Sequence, residues 1–251
     1  MARFCLFLLM LSCAGVVAAA GKVTVAAASD LKFAMDEIVA EFRREHSADL
    51  VEMVYGSSGK FRTQIAQGAP FDLYFSADIA YPKMLAEAGH AASEVESYAI
   101  GRLVIWSATV DASGMTLADL AAPGIKRVAI ANPRHAPYGQ RAEEALRAAG
   151  VWDAVRPKLV FGENIAQAAQ FVQTGNADVG VIALALALNP ELASMGGHAL
   201  VPADLHQPLV QGFIITRRAE GNELARRFAS HVRTAGSRAI LTKYGFIPAG
   251  D

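Results

Sequence analysis

Residues 23–46 read VTVAAASDLKFAMDEIVAEFRREH, a short apolar run followed by a longer amphipathic one. The run from Val23 to Ala27 predicts a buried strand, because it is short and almost continuously apolar. From Leu31 to His46 the apolar residues recur every three or four positions, which predicts a helix with one buried stripe. The stripe consists of Leu31, Met35, Ile38, Val39 and Phe42. A strand followed by a covering helix is the repeating unit of α/β proteins, so this stretch predicts the α/β class.

The same alternation continues along the chain. Further strands are predicted at residues 50–55, 71–76, 103–107, 128–131, 179–184 and 208–217. Helices are predicted at residues 60–67, 81–88, 138–149, 222–235 and 237–243, with Gly89 and Gly150 ending the second and third. We find no internal repeat, low-complexity segment or flexible linker. If the chain forms two domains, we therefore expect it to pass between them along strands.

The composition excludes two classes of partner. The 251 residues are 53% hydrophobic and carry 23 Lys and Arg against 24 Asp and Glu, a net charge of -1. A chain of this kind is long enough for one large domain or two small ones and is not disordered. No basic excess is present to neutralise a phosphate backbone, so we expect no nucleic-acid partner. After residue 20, no stretch reaches the ~18 to 20 apolar residues of a membrane span.

The first twenty residues have the features of an export signal. Arg3 supplies the positive start, residues 4–11 an apolar core, and residues 18–20 the small side chains that a signal peptidase requires. We expect cleavage before Gly21 and a periplasmic location for the exported protein.

Both cysteines of the chain, Cys5 and Cys13, fall within this signal. The exported protein would therefore carry no disulfide and no thiolate ligand for a metal. A lipoprotein signal is the alternative, since residues 10–12 before Cys13 resemble one in part. An acylated Cys13 would then tether the protein to a membrane.

Two junctions between a predicted strand and helix are rich in small and hydroxyl residues. One is Ala26-Ala27-Ala28-Ser29-Asp30, and the other is Tyr55-Gly56-Ser57-Ser58-Gly59-Lys60. The free N–H groups of a helix's first turn bind anions, and such junctions open at the carboxyl edge of the sheet. The simpler interpretation is that Ser29 or Asp30, and Ser57 or Ser58, cap their helices. Two such junctions so close together favour a shared anion site.

Other chemistries lack their motifs. A P-loop needs a glycine where Val54 stands and Ser or Thr where Phe61 stands, and Gly56 and Gly59 are one residue too close for a nucleophile elbow. The six histidines lie far apart, with no second ligand at zinc spacing. One enzyme hypothesis stays open, a secreted hydrolase with Ser58 as nucleophile and His135 as base.

An ordered set of short motifs carries a family resemblance. The set spans almost the whole chain after residue 20, although no single tetrapeptide is decisive. It comprises Ala28-Ser29, Gly56-Ser57-Ser58-Gly59-Lys60, Gln64-Ile65, Gly68-Ala69-Pro70-Phe71-Asp72, Ser76-Ala77-Asp78, Ala131-Asn132-Pro133, Ala136-Pro137-Tyr138-Gly139, Pro157-Lys158-Leu159, Gly162-Glu163-Asn164-Ile165 and Tyr244-Gly245-Phe246. The chain thereby resembles the molybdate-binding proteins of bacterial molybdate ABC transporters.

The resemblance implies a two-lobed type II periplasmic binding protein fold, with mixed sheets flanked by helices and a double-crossover hinge. Residues 21–101 and 206–251 would form lobe one, and residues 102–205 lobe two. The protein would bind molybdate or tungstate without a cofactor and deliver it to the membrane permease of an ABC transporter. We expect a monomer that is not an enzyme.

The resemblance also implies the ligand-binding residues. Ser29 and Ser58 match the family's two serines, whose hydroxyl groups and backbone donors bind the ion. Tyr138 and Ile165 match positions that donate a backbone N–H, a group that every residue except proline has. Molybdenum would be bound only as the oxyanion, through these four residues.

Two positions depart from the family pattern. Many members have a ligand-binding tyrosine where this chain has Ala183, and Tyr138 is a candidate to replace that donor. Asp30 stands where members often have an uncharged residue. We expect Asp30 to turn away and cap its helix; the alternative is that it accepts a proton carried by the ligand, which would favour a protonated oxyanion such as hydrogen phosphate. We expect Lys60 to point to solvent or to the lobe surface rather than to the ligand.

Overall fold

The computed structural model describes residues 21–249, so the predicted export signal and Cys13 lie outside the described residues. The strands are β1 Lys22–Ala28, β2 Leu50–Gly56, β3 Leu73–Ser76, β4 Glu96–Gly101, β5 Leu103–Trp106, β6 Val128–Ala131, β7 Leu159–Gly162, β8 Val179–Ala183, β9 His198–Leu200, β10 Leu209–Ile215 and β11 Ile247–Pro248. The α-helices are α1 Lys32–Glu45, α2 Ser58–Ala66, α3 Ala80–Glu87, α4 Pro137–Ala148, α5 Trp152–Val155, α6 Ile165–Gln173, α7 Leu184–Ala187, α8 Pro190–Met195, α9 Glu223–Val232 and α10 Ala235–Lys243.

The strands form two mixed sheets. Sheet one has the order β11-β4-β10-β3-β1-β2, with β1 parallel to β2 and β3, and β10 antiparallel to β3 and β4. Sheet two has the order β7-β6-β8-β5-β9, with β6 parallel to β7 and β8, and β5 antiparallel to β8 and β9. We call the bodies built on these sheets lobe one and lobe two. The predicted α/β class is confirmed.

The chain passes between the sheets twice. Only Arg102 separates β4 of sheet one from β5 of sheet two, and the chain returns between β9 and β10. The two crossings lie side by side, since Leu209 pairs with Gly101 and the N–H of Val201 donates to the carbonyl of Leu103. Sheet two therefore comes entirely from the middle of the chain.

Each sheet has its own apolar core. In lobe one the predicted stripe of α1 is buried against sheet one, and Phe42 packs edge-on against Phe228 of α9 at 5.3 Å between ring centroids. In lobe two, α4 and α6 cover strands β6 and β8 with the buried residues Leu146 and Val172. Within residues 21–249, no helix combines the length and apolarity needed to cross a membrane.

The structure corrects the sequence analysis at several elements. Strands β4, β7, β9 and β11 were not predicted, nor were helices α5, α6, α7 and α8 as elements. The residues before α1 form a separate 3₁₀ turn, Ser29–Leu31, so α1 begins one residue later than predicted. Helix α2 begins at Ser58 rather than Lys60, which places Ser58 in the first turn.

Candidate functional site

A small cavity lies between the lobes, where the first turns of four helical segments meet. The 3₁₀ turn at Ser29 and helix α2 come from lobe one, and helices α4 and α6 come from lobe two. The lining residues are Ala28, Ser29, Asp30, Gly56, Ser57, Ser58, Ala77, Ala136, Pro137, Tyr138, Asn164 and Ile165. The cavity thus joins all four predicted ligand-binding residues, and no Lys, Arg or His is among the described residues that line it.

The cavity is small. Its volume is about 10 Å³, which is about the space that one water molecule needs. A cavity this small excludes a sugar or a peptide.

Ser58 is oriented by lobe one. Its Oγ atom accepts a hydrogen bond of 3.0 Å from the N–H of Ala77, and its carbonyl accepts one of 2.7 Å from the hydroxyl of Tyr74. The side chain is 1% exposed. An Oγ atom that already accepts from a backbone N–H keeps its own proton to donate elsewhere. Ser58 can therefore donate a hydrogen bond to an anion in the cavity.

Ser29 of lobe one meets the N-terminus of α6 in lobe two. Its Oγ atom donates to Oδ1 of Asn164 at 3.1 Å and accepts from the N–H of Ala166 at 3.2 Å. The same Asn164 oxygen caps α6 by accepting from the N–H of Gln167. Ile165 is the first residue of α6, so its N–H has no acceptor within the helix. Ser29 of lobe one therefore lies beside Ile165, at the first turn of α6.

Helix α4 contributes Tyr138. Pro137 occupies the first position of the helix and has no N–H, so Tyr138 carries the first N–H that the helix leaves free. The Tyr138 side chain is buried, and its hydroxyl accepts a hydrogen bond of 3.2 Å from Nε2 of Gln211. Burial and the neighbouring Asp30 carboxylate raise the pKa of Tyr138 well above its usual value, so the hydroxyl stays neutral.

Asp30 does not cap a helix, so the capping expectation is wrong. The N-cap positions of the 3₁₀ turn and of α1 are Ala28 and Leu31, and neither has a side-chain cap. The Asp30 side chain is 1% exposed, and its Oδ2 atom accepts a 2.6 Å hydrogen bond from Nε2 of Gln211. Its Oδ1 atom is buried and has no hydrogen-bond partner among the described residues. Burial raises the pKa of Asp30 to about 6, against smaller lowering effects of Gln211, Tyr138 and nearby backbone N–H groups.

The capping interpretation also fails for the other three residues. Ser57 stands at the N-cap position of α2, but its side chain makes no capping hydrogen bond. Its Oγ atom donates to the carbonyl of His135 at 2.6 Å and lies 2.9 Å from the ring Nδ1 of the same residue. The Oγ atoms of Ser29 and Ser58 form the hydrogen bonds described above, to Asn164 and Ala166 and to Ala77, and these do not cap their own helices. The hydroxyl groups of both junctions therefore serve the cavity and the contact between lobes.

A second contact between the lobes borders the cavity, and the sequence analysis missed it. The N–H of Gly59 donates to the carbonyl of His135 at 2.9 Å, and a Cβ atom on Gly59 would lie 2.5 Å from that oxygen. Lys60 forms an ion pair with Glu163, whose carboxylate is also 3.8 Å from Nε2 of His135. In the sequence, Gly59 was the only local sign that the backbone of another segment comes so close at this point.

This contact corrects one expectation. The hydrolase hypothesis pairs Ser58 with His135, but His135 meets Ser57 instead, and the Ser58 hydroxyl lies against Ala77. Burial lowers the pKa of His135, which Lys60 also lowers and Glu163 raises. Lys60 is half exposed, does not line the cavity, and pairs with Glu163 at the surface where the lobes meet.

Ala183 does not reach the cavity. It is the last residue of β8, fully buried, and absent from the lining residues. The Tyr138 hydroxyl, the candidate for the donor missing there, accepts from Gln211 beside Gly101 and lies next to the Asp30 carboxylate.

Two mixed sheets joined by two adjacent crossings, with a small cavity between them at the first turns of helices from both lobes, define the class of two-lobed solute-binding proteins with the type II periplasmic fold. The model of the family "bacterial extracellular solute-binding protein" matches residues 23–247. The chain belongs to this family.

Relatives named for the ion that they bind are also similar to this chain. The molybdate-binding protein ModA of Rhodobacter capsulatus is 38% identical over 92% of this chain and 90% of its own length. That of Azotobacter vinelandii is 35% identical over 94% and 93%. The solved structure of the Azotobacter vinelandii periplasmic molybdate-binding protein matches with a TM-score of 0.82 at 31% identity, covering 90% of this chain and 98% of that one. The predicted two-lobed fold and family are confirmed.

Proposed function

We propose that this protein is an exported binding protein that captures molybdate or tungstate and delivers it to the membrane permease of an ABC transporter. The observation that carries the proposal is the cavity itself, which brings two serine hydroxyls and the free N–H groups of Tyr138 and Ile165 together from both lobes. The names of the relatives support molybdate as the ion.

Neutral donors suit a doubly charged tetrahedral ion. Such an ion offers only acceptor oxygens, and the N-termini of helices carry partial positive charge with N–H groups pointing outward. Four helical segments begin at this cavity. Fixed dipoles shielded from water spread the charge of the ion without a Lys or Arg.

The two crossings serve as the hinge of this binding protein. Lobe one would comprise residues 21–101 and 206–251, and lobe two residues 102–205. Closure brings Ser29 against α6 and Gly59 against His135, so the ligand-binding residues of both lobes meet only in the closed form. The closed form is then the state that a permease recognises.

The protein acts as a monomer in the periplasm after removal of residues 1–20; tethering through Cys13 is the alternative.

The bound ion leaves unchanged, so the protein is not an enzyme. The Ser58 and His135 pair that hydrolysis would need is not formed. Stoichiometric binding without turnover of ester or phosphate substrates is the expected result.

A panel of ions tests the proposal. Residues 21–251 are purified, and thermal unfolding is followed with molybdate, tungstate, sulfate and phosphate. Molybdate and tungstate should raise the midpoint, because a ligand at ~1,000 times its dissociation constant adds ~4 kcal/mol of stability. An unchanged midpoint with both ions, together with a clear rise with another ion, would refute molybdate as the ligand.

Phosphate is the second candidate, and buried Asp30 is the observation that favours it. An ionised carboxylate can accept a proton from hydrogen phosphate, whereas molybdate has none to donate at neutral pH. Phosphate binding that weakens as the pH rises, with negligible molybdate binding, would favour this candidate.

A further inference from the structure

We propose that Asp30 binds a proton whenever a doubly charged oxyanion occupies the cavity, so that ion and proton are captured and released together. This inference rests on the proposed function and names the group that balances part of the charge of the ion. The proton comes from solvent and returns there when the ion leaves.

The described lining of the cavity includes no positively charged side chain. Asp30 and Tyr138 are the ionisable side chains among the described lining residues. Tyr138 stays neutral because burial raises its pKa. A dianion beside an ionised Asp30 would therefore place three negative charges in one small cavity without a cation in its lining.

The groups that face Asp30 are uncharged. Strand β4 presents the Tyr98 hydroxyl, which donates to Oε1 of Gln211 at 2.5 Å. Strand β10 presents the Gln211 amide, helix α4 presents Tyr138, and the 3₁₀ turn contributes the backbone N–H groups of Asp30 and Leu31. None of these groups carries a positive charge. The carboxylate is thus buried without a counterion, and burial raises its pKa to about 6.

The Oδ1 atom of Asp30 is the atom that takes the proton. Oδ2 of Asp30 is already an acceptor for Gln211, whose orientation is set by the bond from Tyr98. Oδ1 is buried and has no partner among the described residues. A proton on Oδ1 removes the charge and leaves the bond at Oδ2 intact. It also converts Oδ1 from an acceptor into a donor.

The approach of the dianion supplies the driving force. A like charge nearby favours the neutral form of a carboxyl group, which adds to the effect of burial. The free protein at neutral pH holds Asp30 mainly ionised, whereas the filled protein holds it protonated. The dissociation constant should therefore rise about tenfold for each pH unit above the pKa of the free protein.

Calorimetric titration with molybdate in buffers of different ionisation enthalpy measures the protons taken up. The wild type should take up about one proton per ion at roughly pH 8 and almost none at roughly pH 5, where Asp30 is already protonated. Asp30→Asn, which resembles the protonated acid, should take up none at either pH. Its affinity at pH 8 should be at least about tenfold higher than that of the wild type.

Two control variants separate Asp30 from other groups. Asp36→Asn makes the same charge change on the exposed face of α1 and should keep the uptake of the wild type. His135→Gln removes the histidine ring beside the cavity and should keep the uptake as well. Loss of the uptake in His135→Gln with retention in Asp30→Asn would overturn the proposal.

The outcomes distinguish this inference from the proposed function. Absence of molybdate binding refutes the proposed function. One-to-one binding with no proton uptake at pH 8 leaves that function standing and overturns the role of Asp30. If Asp30→Asn does not fold, uptake by the wild type that persists in His135→Gln supports the inference, and its absence in the wild type refutes it.

Discussion

Oδ2 of Asp30 accepts a 2.6 Å hydrogen bond from Nε2 of Gln211, a residue that lies 181 positions later in the chain. Asp30 follows the first strand of sheet one, and Gln211 belongs to β10, the strand on which the chain returns from lobe two. The same Gln211 amide donates to the hydroxyl of Tyr138 in lobe two. The pair therefore ties the binding cavity to the hinge.

Buried Asp30 should make the stability of the ligand-free protein depend on pH. Its pKa is about 6 in the folded state against an ordinary value of 3.8, so the folded state keeps a proton that the unfolded chain loses between these values. The free energy of unfolding should fall as the pH rises through this window and level off above it. Each unit of pKa difference between the folded and unfolded states corresponds to about 1.4 kcal/mol, so the loss of stability due to Asp30 is ~3 kcal/mol.

Urea unfolding of the wild type and Asp30→Asn at pH 4 and pH 7.5 measures this loss. The stability of the variant relative to the wild type should increase by up to ~3 kcal/mol from the lower to the higher pH. An equal difference between the two proteins at both pH values would show that the carboxyl group is not perturbed.

Ser58→Ala should weaken molybdate binding by roughly 10- to 100-fold, the effect of removing a hydrogen bond to a charged group. Ser47→Ala, in the exposed turn after α1, is the matched control and should leave affinity unchanged. Isothermal titration measures both. A Ser58→Ala affinity within about twofold of the wild type would remove Ser58 from the site.

Gly59→Ala should hinder closure of the lobes. The added Cβ would lie 2.5 Å from the carbonyl oxygen of His135, and a backbone atom cannot move away as a flexible side chain can. Overpacking of ~1 to 3 kcal/mol corresponds to a loss of roughly 5- to 150-fold in affinity. Gly114→Ala, where a Cβ meets nothing within 4 Å, is the control. Unchanged binding by Gly59→Ala would show that this contact is not needed in the bound form.

The ion pair of Lys60 and Glu163 should contribute little. Both side chains are about half exposed, at 50% and 44%, and such pairs contribute ~0.2 to 1 kcal/mol. A double-mutant cycle with Lys60→Ala and Glu163→Ala on molybdate affinity should give a coupling below about fivefold that shrinks in high salt. A larger coupling that survives salt would make this pair a principal determinant of closure.

The local pattern predicted the parts of the fold that have a clear period. Helix α1 shows its stripe in the sequence, and the strand of residues 128–131 was predicted with the observed bounds. Strand β4 was missed because Glu96 and Ser97 begin it, and its pairing with β10 depends on residues more than a hundred positions away. Strand β7 is only four residues long and partly exposed, which leaves little periodic signal.

The candidate site divides in the same way. The four residues taken from the family motifs all line the cavity. That they bind the ligand is a prediction. The position of Asp30 was misjudged because helix capping is a local rule, whereas its partners Gln211 and Tyr138 come from distant strands and helices. Only the tertiary fold brings an amide to that carboxylate.

Anomalous scattering from a crystal grown with tungstate or molybdate shows directly where the ion binds, because it locates the metal atom of the ion itself. We expect one strong peak per chain, surrounded by the hydroxyls of Ser29 and Ser58 and the backbone N–H groups of Tyr138 and Ile165. A peak elsewhere on the molecule, or no peak from crystals that diffract well in saturating ion, would contradict it.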